Sequence, residues 1–170
     1  FFKQKTAYEI PKRDWSSDVC SYDLQPPPAC RTERASDMDA LAELFEAARA
    51  AQARAYAPYS KFQVGAALRA ASGAIHAGCN VENAAYPVGS CAESGAISAM
   101  TLAGDSRITD IVVVGEGTEP LTPCGACRQR LAEFSSADTR IHCANREGIK
   151  ATYRLADLLP NAFGSRALDR

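Results

Sequence analysis

The chain has 170 residues, 46% of them hydrophobic, and a formal net charge of -1. That suits one packed domain and excludes a wholly disordered chain. It also argues against a broad basic surface for tracking nucleic acid, and no apolar run is long enough to span a bilayer. The start lacks a basic-then-apolar secretion signal. Seven cysteines, an odd number, read as metal ligands plus free thiols rather than a disulfide framework. A cytoplasmic protein with neither a nucleic-acid nor a membrane partner is the expectation.

Residues 1–37 differ from the rest. Residues 1–24 have no helical or strand period, and Pro26-Pro27-Pro28 reads as a break in regular structure. The string from Phe2 to Ile10, and then Arg13 to Ser21, resemble the translation of a common sequencing-library adapter, in the right order. Tyr22 departs from that translation by one base, and Asp23-Leu24 resume it. Residues 1–37 are therefore expected to be an artefactual or disordered tail, to be left out of fold reasoning. Residues 38–170 are expected to form the working domain.

Ser36 or Asp37 offers a helix N-cap, with Asp39 as an acidic first turn. Leu41, Leu44, Phe45 and Ala48 recur at helical spacing, and this helix should stop before Pro58. Residues 62–71 and 75–80 read as paired strands about a Ser72-Gly73 turn. A loop over 81–90 leads into a helix over 91–103, ended by Gly104. The apolar run 111–114 is a strand covered on both faces. A helix over 124–134, strands over 140–144 and 149–153, and a short helix over 155–159 complete the order. Such an order gives an α/β layered fold, with helices on both faces of one sheet.

Two stretches carry the chemistry: Cys91-Ala92-Glu93 and Pro123-Cys124-Gly125-Ala126-Cys127. Cys124 and Cys127, one helical turn apart, project toward one point. With Cys91 they supply three thiolates, which leaves a tetrahedral zinc one open position, the mark of a catalytic site. The predicted helix N-termini at both stretches favour thiolate over thiol. Glu93 is left free to move protons. A Cys-x-x-Cys alone would also fit a redox dithiol or half of a structural zinc site. Together with Cys-x-Glu and the preceding proline, the pattern is that of zinc-dependent deaminases. Cys79, Cys143, His76 and His142 fall in strands and read as structural.

These residues resemble the cytidine deaminase family, in its short form with three cysteine ligands. The likeness extends to Tyr59-Ser60-Lys61-Phe62-Gln63-Val64-Gly65, to Gly78-Cys79-Asn80-Val81-Glu82-Asn83-Ala84-Ala85-Tyr86-Pro87 and to residues 158–164. The resemblance implies a three-layer α-β-α fold around a mixed sheet of about five strands. It implies one zinc per subunit on Cys91, Cys124 and Cys127, and Glu93 as the catalytic proton carrier. Asn80 and Glu82 would bind the ribose hydroxyl, Phe62 would pack on the pyrimidine, and Ala92 would form part of the substrate wall. Phe163 would stack on the substrate from a neighbouring subunit, with Ala84 and Tyr86 completing an adjacent site. The implied assembly is a homotetramer with shared active sites. The implied reaction is hydrolytic deamination of free cytidine and 2′-deoxycytidine, a step of pyrimidine salvage.

Two positions depart from many relatives. Ser94 stands where arginine often offsets the thiolate charge, and Ala85 where cysteine is common. Arg128, beside Cys127, is a candidate substitute for the missing arginine. Two alternative functions are a blasticidin-S-type antibiotic deaminase and, from another class, a structural zinc or nucleic-acid-binding module. Asn80-x-Glu82 disfavours the first; Glu93 and the balanced charge disfavour the second.

Overall fold

The structure is a computed structural model and describes residues 28–168. The adapter-like segment lies outside the described residues. Helix α1 spans Pro28–Gln52, followed by strands β1 (Gly65–Ala70) and β2 (Ile75–Cys79). Helix α2 (Ala92–Leu102), strand β3 (Ile108–Val114) and helix α3 (Gly125–Phe134) form the middle of the chain. Strands β4 (Arg140–Asn145) and β5 (Gly148–Arg154) and the short helix α4 (Leu155–Leu158) complete the domain.

The larger boundary differences from the sequence expectation lie at α1, at β1 and at β3, which starts at Ile108 rather than at residue 111. The first helix does not start at Ser36 or Asp37 but at Pro28, so Asp39 lies inside it rather than in its first turn. Proline fits a first helical turn, where its missing N–H has no partner to lose. β1 begins at Gly65 rather than at residue 62, because the Val64 N–H is taken by the Asn80 side chain at 2.8 Å instead of by a strand ladder.

The strand order is β2-β1-β3-β4-β5. β3 and β4 run parallel and the other neighbours antiparallel, as expected for a mixed five-stranded sheet. One face packs Ala67, Val112, Val114 and Ala144 against Leu44 and Ala48 of α1. The other packs Leu68, Ile111, Val113 and Ile141 against Met100 of α2 and Leu131 of α3. The run 111–114 is therefore covered on both sides, which makes the domain a three-layer α-β-α sandwich.

The depth of α2 is set at Gly78 on β2. A Cβ there would collide with the backbone of Ala92, Gly95 and Ala96. This close approach presses the first turn of α2 onto the sheet, and that turn carries Glu93. At the other end Gly104, at φ +91°, gives the left-handed turn that ends the helix.

Candidate active site

Cys91 is the N-cap of α2 and Cys124 the N-cap of α3, both with extended backbone. Cys127 follows in the first turn of α3, so three sulfurs are delivered by two helix N-termini. They lie within 4.8 Å of one another, and Cys91 Sγ and Cys124 Sγ are 3.9 Å apart. All three are free thiols. A tetrahedral zinc with bonds of 2.3 Å sets its sulfurs about 3.8 Å apart. The donor set therefore fits zinc in both chemistry and spacing.

Without metal the three thiols are unequal. Burial pushes the Cys91 thiol up, with the nearby Cys124 and Glu93 charges adding to it against a hydrogen bond from Cys127. Burial, then the Glu93 and Cys91 charges, push Cys127 up strongly. At Cys124 burial also acts upward, but hydrogen bonds from the Cys127 backbone and from the other two thiols outweigh it and hold the thiol below its ordinary value. Loading a metal therefore has to displace protons, and affinity falls as pH falls.

Glu93 lies in the first turn of α2, 4% exposed. It lines a cavity of about 620 Å³ together with Cys91, Ala92 and Cys124 on the floor and Asn80, Glu82 and Tyr86 on the wall. One opening thus joins a metal-binding cluster, a sheltered carboxylate and a polar wall. That arrangement can hold a small polar molecule over an open metal position and move protons beside it.

Residues 38–143 match the model of the cytidine and deoxycytidylate deaminase zinc-binding region. The chain belongs to the cytidine deaminase family. Among its relatives, the cytidine deaminase of Sporosarcina psychrophila is 40% identical over 126 residues, covering 74% of this chain and 93% of that protein. The cytidine deaminase of Halalkalibacterium halodurans is 42% identical over 120 residues, covering 71% and 91%. The crystal structure of cytidine deaminase from Burkholderia pseudomallei superposes with a TM-score of 0.68 at 45% identity, covering 71% of this chain and 97% of that one.

The cytidine deaminase motif residues divide between those that reach the cavity of their own chain and those that do not. Asn80, Glu82, Tyr86, Ala92, Glu93, Cys91 and Cys124 line it, and Cys127 is buried beneath. Phe62, Ala84 and Phe163 are not among its walls. Phe163 is 61% exposed and borders a separate cleft with Asn161 and Ala132.

Asn80 and Glu82 are already engaged with backbone. Asn80 Nδ2 donates to the Phe62 carbonyl at 2.9 Å while Oδ1 accepts the Val64 N–H. Glu82 Oε2 accepts the N–H groups of Tyr59 at 2.8 Å and Ser60 at 3.2 Å. Hydrogen bonding from the Ser60 side chain, against some burial and with help from these amides, holds the Glu82 carboxyl below its ordinary value.

Arg128 does not serve the thiolates. Its Nε donates to the Pro123 carbonyl at 2.7 Å, Nη1 to the Leu158 carbonyl at 3.1 Å and Nη2 to the Thr122 hydroxyl at 3.1 Å. It braces the turn before Cys124, and no described cation hydrogen-bonds to a site sulfur in the place that Ser94 leaves.

Among the cavity's lining residues to which the sequence assigned no site role are Val64, Leu121 and Thr122. Position just before Pro123 was the one available signal for the last two. The strand histidines have structural partners. His76 Nε2 meets Asp105 at 2.9 Å, and His142 Nδ1 meets the Thr152 hydroxyl at 2.9 Å.

Proposed function

We propose that this protein deaminates free cytidine and 2′-deoxycytidine by hydrolysis, releasing the uridine product and ammonia. The observation that carries the reading is a three-cysteine cluster, two of whose members line one cavity together with Glu93, Asn80 and Glu82. The relatives named cytidine deaminase, matched over more than nine-tenths of their length, support the same substrate class.

Cys91, Cys124 and Cys127 hold one zinc per subunit. Zinc, when bound, makes hydroxide available near neutral pH and polarises what it touches. Glu93 takes the proton of the attacking water and passes it to the ring nitrogen N3 as the new C–O bond forms at C4. Glu93 then carries the second proton to the departing amine, so the C4–N bond breaks with release of ammonia. Glu82, whose Oε2 accepts two backbone amides, presents its carboxylate to a ribose hydroxyl. Asn80 and Ala92 complete the wall, and Phe62 is presented by the loop that Asn80 fastens.

The assembly proposed is a homotetramer. Tyr86 is 77% exposed and Phe163 61%, which suits residues that complete sites across subunit boundaries, with Ala84 beside Tyr86. Residues 38–170 are the catalytic unit. The protein is placed in the cytoplasm and in pyrimidine salvage, in keeping with its free thiols; no described helix is long and apolar enough to cross a membrane.

The test is an ultraviolet assay of cytidine and deoxycytidine loss on zinc-loaded protein, with its mass in solution measured alongside. Turnover that chelation abolishes and zinc restores is expected. Zinc-loaded protein that turns over neither nucleoside overturns the reading, and turnover of blasticidin S alone reassigns the substrate.

A further inference from the structure

Two consecutive residues follow the second cysteine of the Cys-x-x-Cys pair, and both reach the C-terminal segment. Arg128 Nη1 donates to the Leu158 carbonyl at 3.1 Å. Gln129 Nε2 donates to the Phe163 carbonyl at 2.9 Å. Between these two anchors the chain leaves α4, passes Pro160 and turns at Asn161, whose φ of 58° is left-handed. Among the described residues, the Gln129 bond is the hydrogen bond that ties 160–163 to the body of the domain.

The result is an unusual presentation of Phe163. Its backbone is held against α3 while the residue stays 61% exposed, although burying such a ring is ordinarily favourable. It does not line the cavity of its own chain. Tyr59 and Tyr86, which line that cavity, are 49% and 77% exposed. An exposed aromatic on a fixed backbone and exposed aromatics lining the cavity are what a contact between two copies of one chain would bring together.

We infer that Gln129 is a positioning residue for the reaction: by holding the Phe163 carbonyl it sets the angle at which that ring enters the site of a second copy. This rests on the proposed role of Phe163 in a shared site. α3 then does two jobs. Its N-cap and first turn carry Cys124 and Cys127 for its own site, and its next residues aim a wall of the neighbouring one. Arg128 fastens both ends of the device, since the same guanidinium holds Pro123 and Leu158.

The test is a double-mutant cycle on zinc-loaded assembled enzyme, with Gln129→Met, which keeps length and removes the donor, and Phe163→Ala. One neutral hydrogen bond corresponds to roughly a threefold to tenfold effect. Gln129→Met should raise KM for cytidine by that factor and change kcat by less than about twofold, with zinc content and subunit number unaltered. In the Phe163→Ala background it should add nothing. Gln129→Glu, which turns an acceptor toward the carbonyl, should give the same pattern and guards against a folding defect peculiar to methionine. An unchanged KM, or the same rise with and without Phe163, overturns the inference. If Phe163→Ala itself leaves KM unaltered while wild type turns over cytidine, the shared-site role of Phe163 falls and this inference with it, but the deaminase reading stands.

Discussion

Asn80 holds the backbone of Phe62: its Nδ2 donates to the Phe62 carbonyl at 2.9 Å, and its Oδ1 takes the Val64 N–H two residues on. Glu82, two residues after Asn80, takes the N–H groups of Tyr59 and Ser60 in the same way. The pair expected to grip the ribose therefore also shapes the loop that bears the expected pyrimidine-packing ring. On the proposed function, recognition of a hydroxyl and placement of the ring would be linked through two side chains, because a site built to hydrogen-bond a hydroxyl penalises an analogue that lacks it.

Asn80→Ala should therefore do more than weaken sugar binding. It strips two backbone groups of their partner, which costs about 1–3 kcal/mol in urea unfolding, and KM should rise with it. Asn80→Asp keeps the acceptor for the Val64 N–H and should lose less stability. A rise in KM with no loss of stability in Asn80→Ala would leave Asn80 as a ribose contact alone.

Glu93 is the position at which the proposed chemistry can be tested apart from metal holding. It is buried in the first turn of α2 but is not one of the three clustered thiols. Glu93→Gln should keep zinc by metal analysis and lower kcat by about 10²–10⁴-fold. Cys91→Ala removes a donor and should lose both zinc and turnover. Metal loss in Glu93→Gln would make the glutamate a ligand.

The site was legible in the sequence to the extent that its geometry is local. Cys124 and Cys127 share a helical turn, and Cys91 and Glu93 lie two residues apart, so spacing alone implies convergence. The alternation of apolar runs also indicated the layers. Arg128 was not legible. Its partners are carbonyls at Pro123 and Leu158, and no side-chain pattern marks which distant carbonyl a guanidinium will meet. Nor was the start of β1, because Asn80 competes through its side chain for an amide that the β-pattern assigns to a ladder. The start of α1 was misjudged because Pro28 reads equally as a breaker and as a first-turn residue.

Zinc retention should reflect Ser94. Arg128 is committed to three oxygens, so among the described residues the two helix N-termini, rather than a hydrogen-bonded side-chain cation, would offset the formal charge of -1 on a zinc tris-thiolate. Ser94→Arg should hold zinc to lower pH than wild type in a metal-release series read with a colorimetric chelator. Equal release curves reject a role for the position in metal retention.

Acid stability should depend on Asp110, whose side chain is 14% exposed. Burial opposes its ionisation, but the His142 ring and the Arg140 guanidinium outweigh that and lower it from 3.8 to about 2. Arg140 makes the firm contact, Nε to Oδ1 at 2.7 Å; His142 Nε2 stands 3.5 Å away without hydrogen-bond geometry. A depressed carboxyl gives stability that is present above its unfolded value and lost as pH falls through the folded one. The contribution is about 1–2 kcal/mol once screening of the exposed Arg140 is allowed for. Asp110→Asn should be less stable at pH 7 and lose stability less steeply between pH 4 and pH 2, followed by denaturant unfolding at each pH. Parallel curves for the two proteins would show that Asp110 contributes nothing to acid unfolding.

The boundary of the catalytic unit can be tested at Met38. α1 runs through this point from Pro28, and among its residues whose side chains are described, Leu41, Leu44, Phe45 and Ala48, which pack into the core, follow it. The family match also begins at residue 38. A chain starting at Met38 puts Asp39 in a new first turn, where a carboxylate is favoured by the helix dipole by about 0.3–1 kcal/mol. It should unfold cooperatively within about 1 kcal/mol of the full chain. It should also bind zinc and keep kcat/KM for cytidine within about twofold, since no residue assigned to the site precedes Tyr59. Loss of folding or turnover in this shorter chain would make residues before Met38 part of the enzyme and would remove the ground for setting them aside.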